Sequence, residues 1–336
     1  MVFGTQHLTR PLYAVMVCMA AVLMGCHGPV QRGENLLIVN FEEGKVLRYQ
    51  MTSSREVTIE LTGSTTGNKQ GQPQKMTESI ELTMAYKPVK VDPFGLTRIE
   101  CTFEAVKVNR SSFSGRGSSG SDAMESLQGK TFSLELSPSG QIEDFKELEQ
   151  LLLDTGKAAF DTARNDLRVK NPDMIYDFVA LQWYLWDSIA SVPDPLAGVN
   201  PGATWTNTQL IAWPVPIPNP PCRVTTFRLD SVFDENEQKK ALIASTYTLS
   251  DKTVEDFPKP YTGTFQMRGL FGFLRDYKFQ SLEGEGKQVF NLTSGAVESD
   301  TQKYLLKTTA SFLMPLGDSV PHVAIEQTLR IQKLEP

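Results

Sequence analysis

"KVLRYQMTSSREVTIELTG", residues 45 to 63, decides what kind of fold this chain makes. Apolar and polar residues alternate along it, and Val57, Ile59 and Leu61 fall on one face. A period of two sends successive side chains to opposite faces of a strand, one packed and one wet. The habit returns in "KMTESIELTMAYKPVKV", where Met76, Ile80, Leu82 and Met84 share a face. It returns again in "LTRIECTFEAVKVN", with Ile99, Cys101, Phe103 and Val106. Such one-sided strands belong to antiparallel sheets. The polar stretches between them, TGSTTGNKQGQPQ and SSFSGRGSSGSD, read as loops. The second carries Gly115, Gly117 and Gly120 but not the Lys-Ser/Thr ending of a phosphate-binding loop.

Further along, "GKTFSLELSPSGQIEDF" reads as a strand, a turn and a returning strand, and "GKQVFNLTSGAVESD" repeats the phrase 157 residues later. Phe132 and Leu134 correspond to Phe290 and Leu292, and Gly140 and Gly295 occupy the turns. Each copy follows alternating strands, the second following "RVTTFRLDSVF" and "KALIASTYTLS". The body therefore divides into two related β-rich halves, about 41–170 and 215–336. Helices are expected between them. "EDFKELEQLLLDTGKAAFDTARNDL" spaces Phe145, Leu148, Leu152, Ala159 and Phe160 helically, with Gly156 as a break. In "NPDMIYDFVALQWYLWDSIASVPDP", Asn171 suits the N-cap, Pro172 the first helical position and Asp173 the positive helix end. Ile175, Phe178, Val179, Gln182, Trp186 and Ile189 form its stripe, and Pro193 and Pro195 stop it. The following NPGATWTNTQLIAWPVPIPNPPC reads as an extended, proline-rich connector, so 171–214 joins the halves. The expected class is α+β: mainly antiparallel sheet with about two central helices.

The N-terminus speaks to location. Arg10 precedes an apolar run from Leu12 to Met24, shorter than the roughly 20 residues that span a bilayer. It ends in Leu23-Met24-Gly25-Cys26. This resembles the lipobox of bacterial lipoproteins, with Leu23 and Gly25 matching the pattern and Met24 a less usual filler. The resemblance implies cleavage between Gly25 and Cys26 and acylation of the Cys26 thiol. Residues 1–25 are then a signal peptide, and 26–40, in which HGPVQRGEN follows Cys26, a lipidated tether. His27 stands where aspartate marks inner-membrane retention in some bacteria, which leans toward the outer membrane. Several acyl chains hold a protein where one alone binds marginally.

Composition narrows the function. Losing Arg10 with the signal takes the net charge from −6 to −7, and no Lys/Arg-rich run is present, which argues against nucleic-acid binding. Of four cysteines, Cys18 leaves with the signal and Cys26 takes lipid. Cys101 and Cys222 remain, as a disulfide or as two separate buried thiols. No Cys/His cluster suggests a metal or cofactor, and His322, the last of three histidines, lies in no hydrolase motif. Glu42-Glu43, Glu147-Glu149, Glu283-Glu285 and DENEQKK at 234 to 240 look like solvated faces and turns. All four tryptophans, Trp183, Trp186, Trp205 and Trp213, fall within 31 residues. They line either an aromatic cleft for an apolar or sugar-like ligand, or a core seam between helix, connector and sheets, the commoner outcome.

In layout the body distantly resembles envelope lipoproteins of the lipid-carrier type, and equally the uncharacterised β-rich lipoproteins of bacteria. The first expectation is a non-enzymatic, lipid-anchored envelope protein that binds a partner or organises the envelope. The alternative is a carrier or sensor of a lipid or other apolar ligand between sheet and helices. A third is a carboxylate-pair hydrolase of envelope glycans.

Overall fold

The computed structural model describes residues 33–62, 73–111, 122–159, 168–169, 174–214, 220–259, 266–267, 274–312 and 320–335. Strands β1 (Leu47–Thr62), β2 (Gln74–Val91), β3 (Thr97–Arg110), β4 (Thr131–Leu136) and β5 (Ile142–Asp144) precede helix α1 (Lys146–Ala159). The two-residue β6 (Arg168–Val169) and helix α2 (Ile175–Ala190) follow. Then come β7 (Thr204–Leu210), β8 (Cys222–Glu235), β9 (Gln238–Leu249), β10 (Gln266–Met267), β11 (Leu274–Asn291), β12 (Ala296–Phe312) and β13 (Val320–Leu334). The chain is α+β, with eleven strands in one sheet of order β5-β4-β3-β2-β1-β13-β12-β11-β9-β8-β7. β6 and β10 form a separate parallel pair.

That order is a single up-and-down meander whose start has been moved. β7, β8, β9, β11, β12 and β13 run across one side, and β13 pairs antiparallel with β1, from Arg48↔Leu334 to Thr62↔Val320. The first and last strands thus lie mid-sheet, and the edges are β5 and β7, joined in sequence through the helices. Both expected halves are therefore parts of one sheet. The two repeated phrases each form a hairpin, β4–β5 and β11–β12, with Gly140 (φ 84) and Gly295 (φ 64) at the turns. Both glycines adopt the left-handed backbone that side chains disfavour.

The alternation holds where the sheet meets the core. Tyr49, Met51, Val57 and Ile59 of β1 are buried, as are Met76, Ile80, Leu82 and Met84 of β2. Leu61, expected on the same face, is exposed because β1 outruns the core there. In β3, Phe103 and Val106 are both buried although three residues apart. A register shift, in which Phe103 faces Met84 but Ala105 faces Thr83, restores the phase.

The core is organised around α2. Every residue from Ile175 to Ile189 except Trp183 is buried, so the helix is enclosed rather than laid over the sheet on one stripe. Apolar residues on every side favour such enclosure, while Asp177, Gln182, Asp187 and Ser188 are buried with it. It starts later than expected, with Met174 as the flanking residue and no side-chain cap; Asn171, Pro172 and Asp173 lie outside the described residues. α1 runs through Gly156 without the expected break, burying Leu148 and Leu152. Phe160 lies outside the described residues.

Two segments depart from expectation in a way that shapes the site. The proline-rich connector contributes edge strand β7 from its proline-free TWTNTQL, and only the stretch after it is strand-free where described. The segment expected to end a tether over 26–40 packs on the body from Asn35 onward. Leu37, Val39 and Phe41 are buried, because this apolar alternation crosses the end of the sheet between the two hairpin turns. Val39 N–H donates to Pro138 O at 2.9 Å and Asn40 N–H to Gly295 O at 3.0 Å.

Candidate functional site

The open side of the meander makes the candidate site. Where β5 and β7 fail to meet, α2 forms the floor of a pocket of about 310 Å³. Gln141 and Ile142 wall it on one side, and Asn207 to Leu210 on the other. Val179, Ala180, Trp183, Asp187 and Ala190 come from α2, and Val254, Asp256 and Phe257 from the segment after β9. Trp183, its ring edge-on to Phe145 at 5.4 Å, is the α2 aromatic that reaches this pocket.

The other three tryptophans are core. Trp186 packs edge-on against Tyr86 at 5.4 Å and Phe41 at 6.4 Å. Trp205 stacks on Phe227 at 5.9 Å and donates its Nε1–H to Ser188 O at 2.9 Å. Trp213 meets Tyr277 and Phe279 at 5.3 and 5.1 Å. The expected aromatic cleft thus reduces to Trp183, and the core alternative holds for Trp186, Trp205 and Trp213. Cys101 and Cys222 are free, in β3 and at the start of β8, with six strands between those two in the sheet. The disulfide alternative is not formed, and burial pushes the Cys101 thiol well up, away from reactivity.

Beneath the pocket lies a polar network that the sequence reading did not anticipate. Asp187 accepts from Gln209 Nε2 at 2.7 Å and Asn207 Nδ2 at 3.4 Å. Gln209 Oε1 in turn accepts from Arg223 Nε at 2.8 Å. The Arg223 guanidinium, fully buried, sits between the rings of Tyr184 and Tyr247, 4.1 and 4.0 Å from their centroids. A desolvated cation on an aromatic face gains about 2 kcal/mol or more. A terminal nitrogen of Arg223 donates to Gln302 Oε1 at 2.6 Å, and Gln302 Nε2 donates to Asp300 Oδ2 at 2.8 Å. Two glutamines therefore link one arginine to two carboxyls.

Burial, only partly countered by the Gln209 hydrogen bond and the Arg223 charge, raises the Asp187 carboxyl to about 7. Burial likewise raises Asp300 to about 6 against the opposing pull of Gln302 and Arg223. A folded-state value above the unfolded one means that the folded protein holds protons the unfolded chain has released. Stability is then fullest below about pH 4 on this count and declines as pH rises toward 6 and 7. Asp187→Asn removes the larger part of that dependence. Between pH 4 and pH 8 the variant is expected to gain on the parent by a few kcal/mol, read from urea unfolding at each pH. Parallel stability curves for the two would contradict a protonated Asp187.

A second cluster holds the other end of α2. Arg55 Nε donates to Glu78 Oε2 at 2.6 Å and Nη1 to Asp177 Oδ2 at 2.6 Å. Asp177 Oδ1 also accepts from Ser53 Oγ and Gln327 Nε2, each at 2.7 Å. Arg110 approaches Glu78 at 3.4 Å and pairs with Asp122. Burial alone would lower the Arg55 guanidinium, but Asp177 and Glu78 outweigh it and hold it above its ordinary value. Asp177 sits in the first turn of α2, where the helix end favours an anion.

Chemically, the pocket offers a small mixed surface with one carboxyl poised near neutrality, an indole, and amide and hydroxyl groups from β7. These suit binding. Among the described residues, no group of three His, Cys, Asp or Glu is placed to hold a metal, and no helix is long and apolar enough to cross a membrane.

No family profile matches the chain, and no curated protein does. Solved structures similar to it include lipovitellin, described for its lipid–protein interactions, with TM-score 0.45 and 11% identity. That match covers 88% of this chain, which spans about a quarter (26%) of the lipovitellin chain. DynF of the dynemicin biosynthesis pathway of Micromonospora chersina matches at TM-score 0.19 and 8% identity, covering 90% of this chain and 88% of its own. An outer membrane channel of Pseudomonas putida matches at 0.17 and 8%, covering 90% and 98%. Likenesses at these scores assign neither family nor function.

Proposed function

We propose that the chain is a lipid-anchored, non-enzymatic protein of the bacterial cell envelope that takes a protein partner at the seam between β5 and β7. The lipobox around Gly25 and Cys26 supports the anchor, and the outer membrane is the favoured location. The observation that carries the binding role is the seam pocket itself. The sheet is made continuous by β13–β1 pairing and packs on α2, yet its two edges are left apart at the place where Trp183 and Asp187 stand.

The carrier alternative asks for more space. A lipid with its chains needs a continuous apolar cavity of several hundred Å³, and ligand pockets run from about 300 Å³ upward. At about 310 Å³ and with amides and carboxyls in its walls, the seam fits a side chain or short segment better than an acyl chain.

The test places a photo-reactive phenylalanine analogue at position 183 of the full lipidated chain in cells that make it. Irradiation is expected to give a discrete protein adduct in the membrane fraction. Ala190→Trp, which fills the half-buried end of the pocket, is expected to abolish it. An adduct of lipid mass would favour the carrier, and no adduct, or one indifferent to Ala190→Trp, would end the seam reading.

A further inference from the structure

The end of the molecule where the described chain begins holds exposed apolar side chains. The alternating strand directions bring the β2–β3, β4–β5, β8–β9 and β11–β12 turns to this end, together with the segment after α2. Gly33 lies there too, its N–H donating to Ala197 O at 2.7 Å. The two most exposed large apolar side chains among the described residues are Phe94, 88% exposed, and Leu196, 81% exposed. Leu36, 49% exposed, follows Gly33 in sequence and adjoins the Asn35–Val199 bridge.

Phe94 and Leu196 are presented by the same device. Each is the third residue of an Asp-Pro-apolar run, Asp92-Pro93-Phe94 and Asp194-Pro195-Leu196. In the first, Asp92 Oδ1 accepts the N–H groups of Phe94 and Leu96, both at 2.8 Å. In the second, Asp194 Oδ1 accepts those of Leu196 at 3.2 Å and Ala197 at 3.1 Å. Such Asp-centred turns fix the backbone locally. Gly95, at φ +86, completes the first against Pro138. Two Asp-centred turns at the same end of the sheet thus each hold an apolar side chain out into water.

We propose that Phe94 and Leu196 enter the headgroup region of the bilayer that holds the lipid anchor, which fixes this end toward the membrane and the seam at a set height above it. The inference rests on acylation at Cys26. Magnitudes decide the orientation. Seven residues from Cys26 to Gly33 reach at most about 25 Å. The 18 residues of β2 extend roughly 60 Å, so the opposite end lies beyond the tether. Buried apolar side chains at the interface then add to the acyl chains as any interfacial apolar face does.

The experiment uses the full lipidated chain in vesicles of phosphatidylethanolamine and phosphatidylglycerol. An environment-sensitive nitrobenzoxadiazole probe is attached in Phe94→Cys, Leu196→Cys or, as the far-end control, Leu61→Cys. The native Cys101 and Cys222 thiols are buried, and the unsubstituted chain serves as the blank. Blue-shifted emission and quenching by lipids spin-labelled high on the acyl chain are expected at 94 and 196 but not at 61. Water-like emission at 94 and 196 on a chain whose mass includes the acyl groups overturns the orientation alone. A chain lacking that mass removes the anchor and the orientation together.

Discussion

Arg55→Met is expected to cost about 3–5 kcal/mol of stability, measured as the shift in urea unfolding free energy at neutral pH. The guanidinium is wholly buried between Asp177 and Glu78, and removing it leaves Asp177 without a counter-charge and Glu78 with only Arg110, at 3.4 Å. Breaking a buried pair by removing one partner carries a penalty of this size, because the remaining charge has lost both water and mate. The same physics gives the control. Arg55→Met combined with Asp177→Leu and Glu78→Leu removes the charges together, and is expected to recover much of the loss. If the triple variant were worse than the single one by another few kcal/mol, the charges would be stabilising beyond their mutual neutralisation. If Arg55→Met cost less than about 1 kcal/mol, the cluster would be solvated rather than buried.

Trp186→Ala is expected to cost about 3–5 kcal/mol as well, by a different route. Trp186 lies where α2 meets the β-sheet and the N-terminal segment, touching Tyr86 of β2 and Phe41, with Gly140 close against its Cβ. Truncation leaves a cavity that three separately anchored elements cannot close. Trp183→Ala, three residues away on the same helix, is expected to cost clearly less, since this residue is only partly buried at the pocket and removing it opens no enclosed void. Equal losses at 183 and 186 would mean that the seam side of α2 is as enclosed as the rest. The contrast separates a residue held for packing from one available for binding.

The strands were legible because alternation is local. Met76, Ile80, Leu82 and Met84 needed only a period of two to be placed inward. Even the bulge in β3 left its mark as the step from Phe103 to Val106. What escaped was also written in that alternation, but as interruptions. Ser53 and Arg55 in β1, Glu78 in β2, Asp300 and Gln302 in β12 and Gln327 in β13 all stand in the inward phase and are buried. Each alone looks like a flaw in an amphipathic pattern. Only across strands far apart in sequence do they become partners of Asp177 and Arg223.

The seam was illegible for a related reason. Which strands end up as edges depends on β1 pairing with β13, some 270 residues away, and no local pattern announces that pairing. Once the two runs of strands join there, β5 and β7 are left at the margins, and their short lengths leave α2 reachable. The four tryptophans drew attention to the right region, but proximity in sequence did not reveal that three of them face the core. β7 was hidden by the prolines that follow it, although TWTNTQL itself contains none.

The central claim is that an acylated Cys26 holds this folded body at a membrane with its seam free for a partner. The most direct test is the intact mass of the full chain purified from the membranes of a bacterium that processes lipoproteins, beside its Cys26→Ser counterpart. The account predicts a mass beginning at Cys26 and increased by a diacylglyceryl group, with or without a third acyl chain, and neither feature in the Cys26→Ser chain. A mass that still includes residues 1–25, or one cut there without lipid, would contradict it.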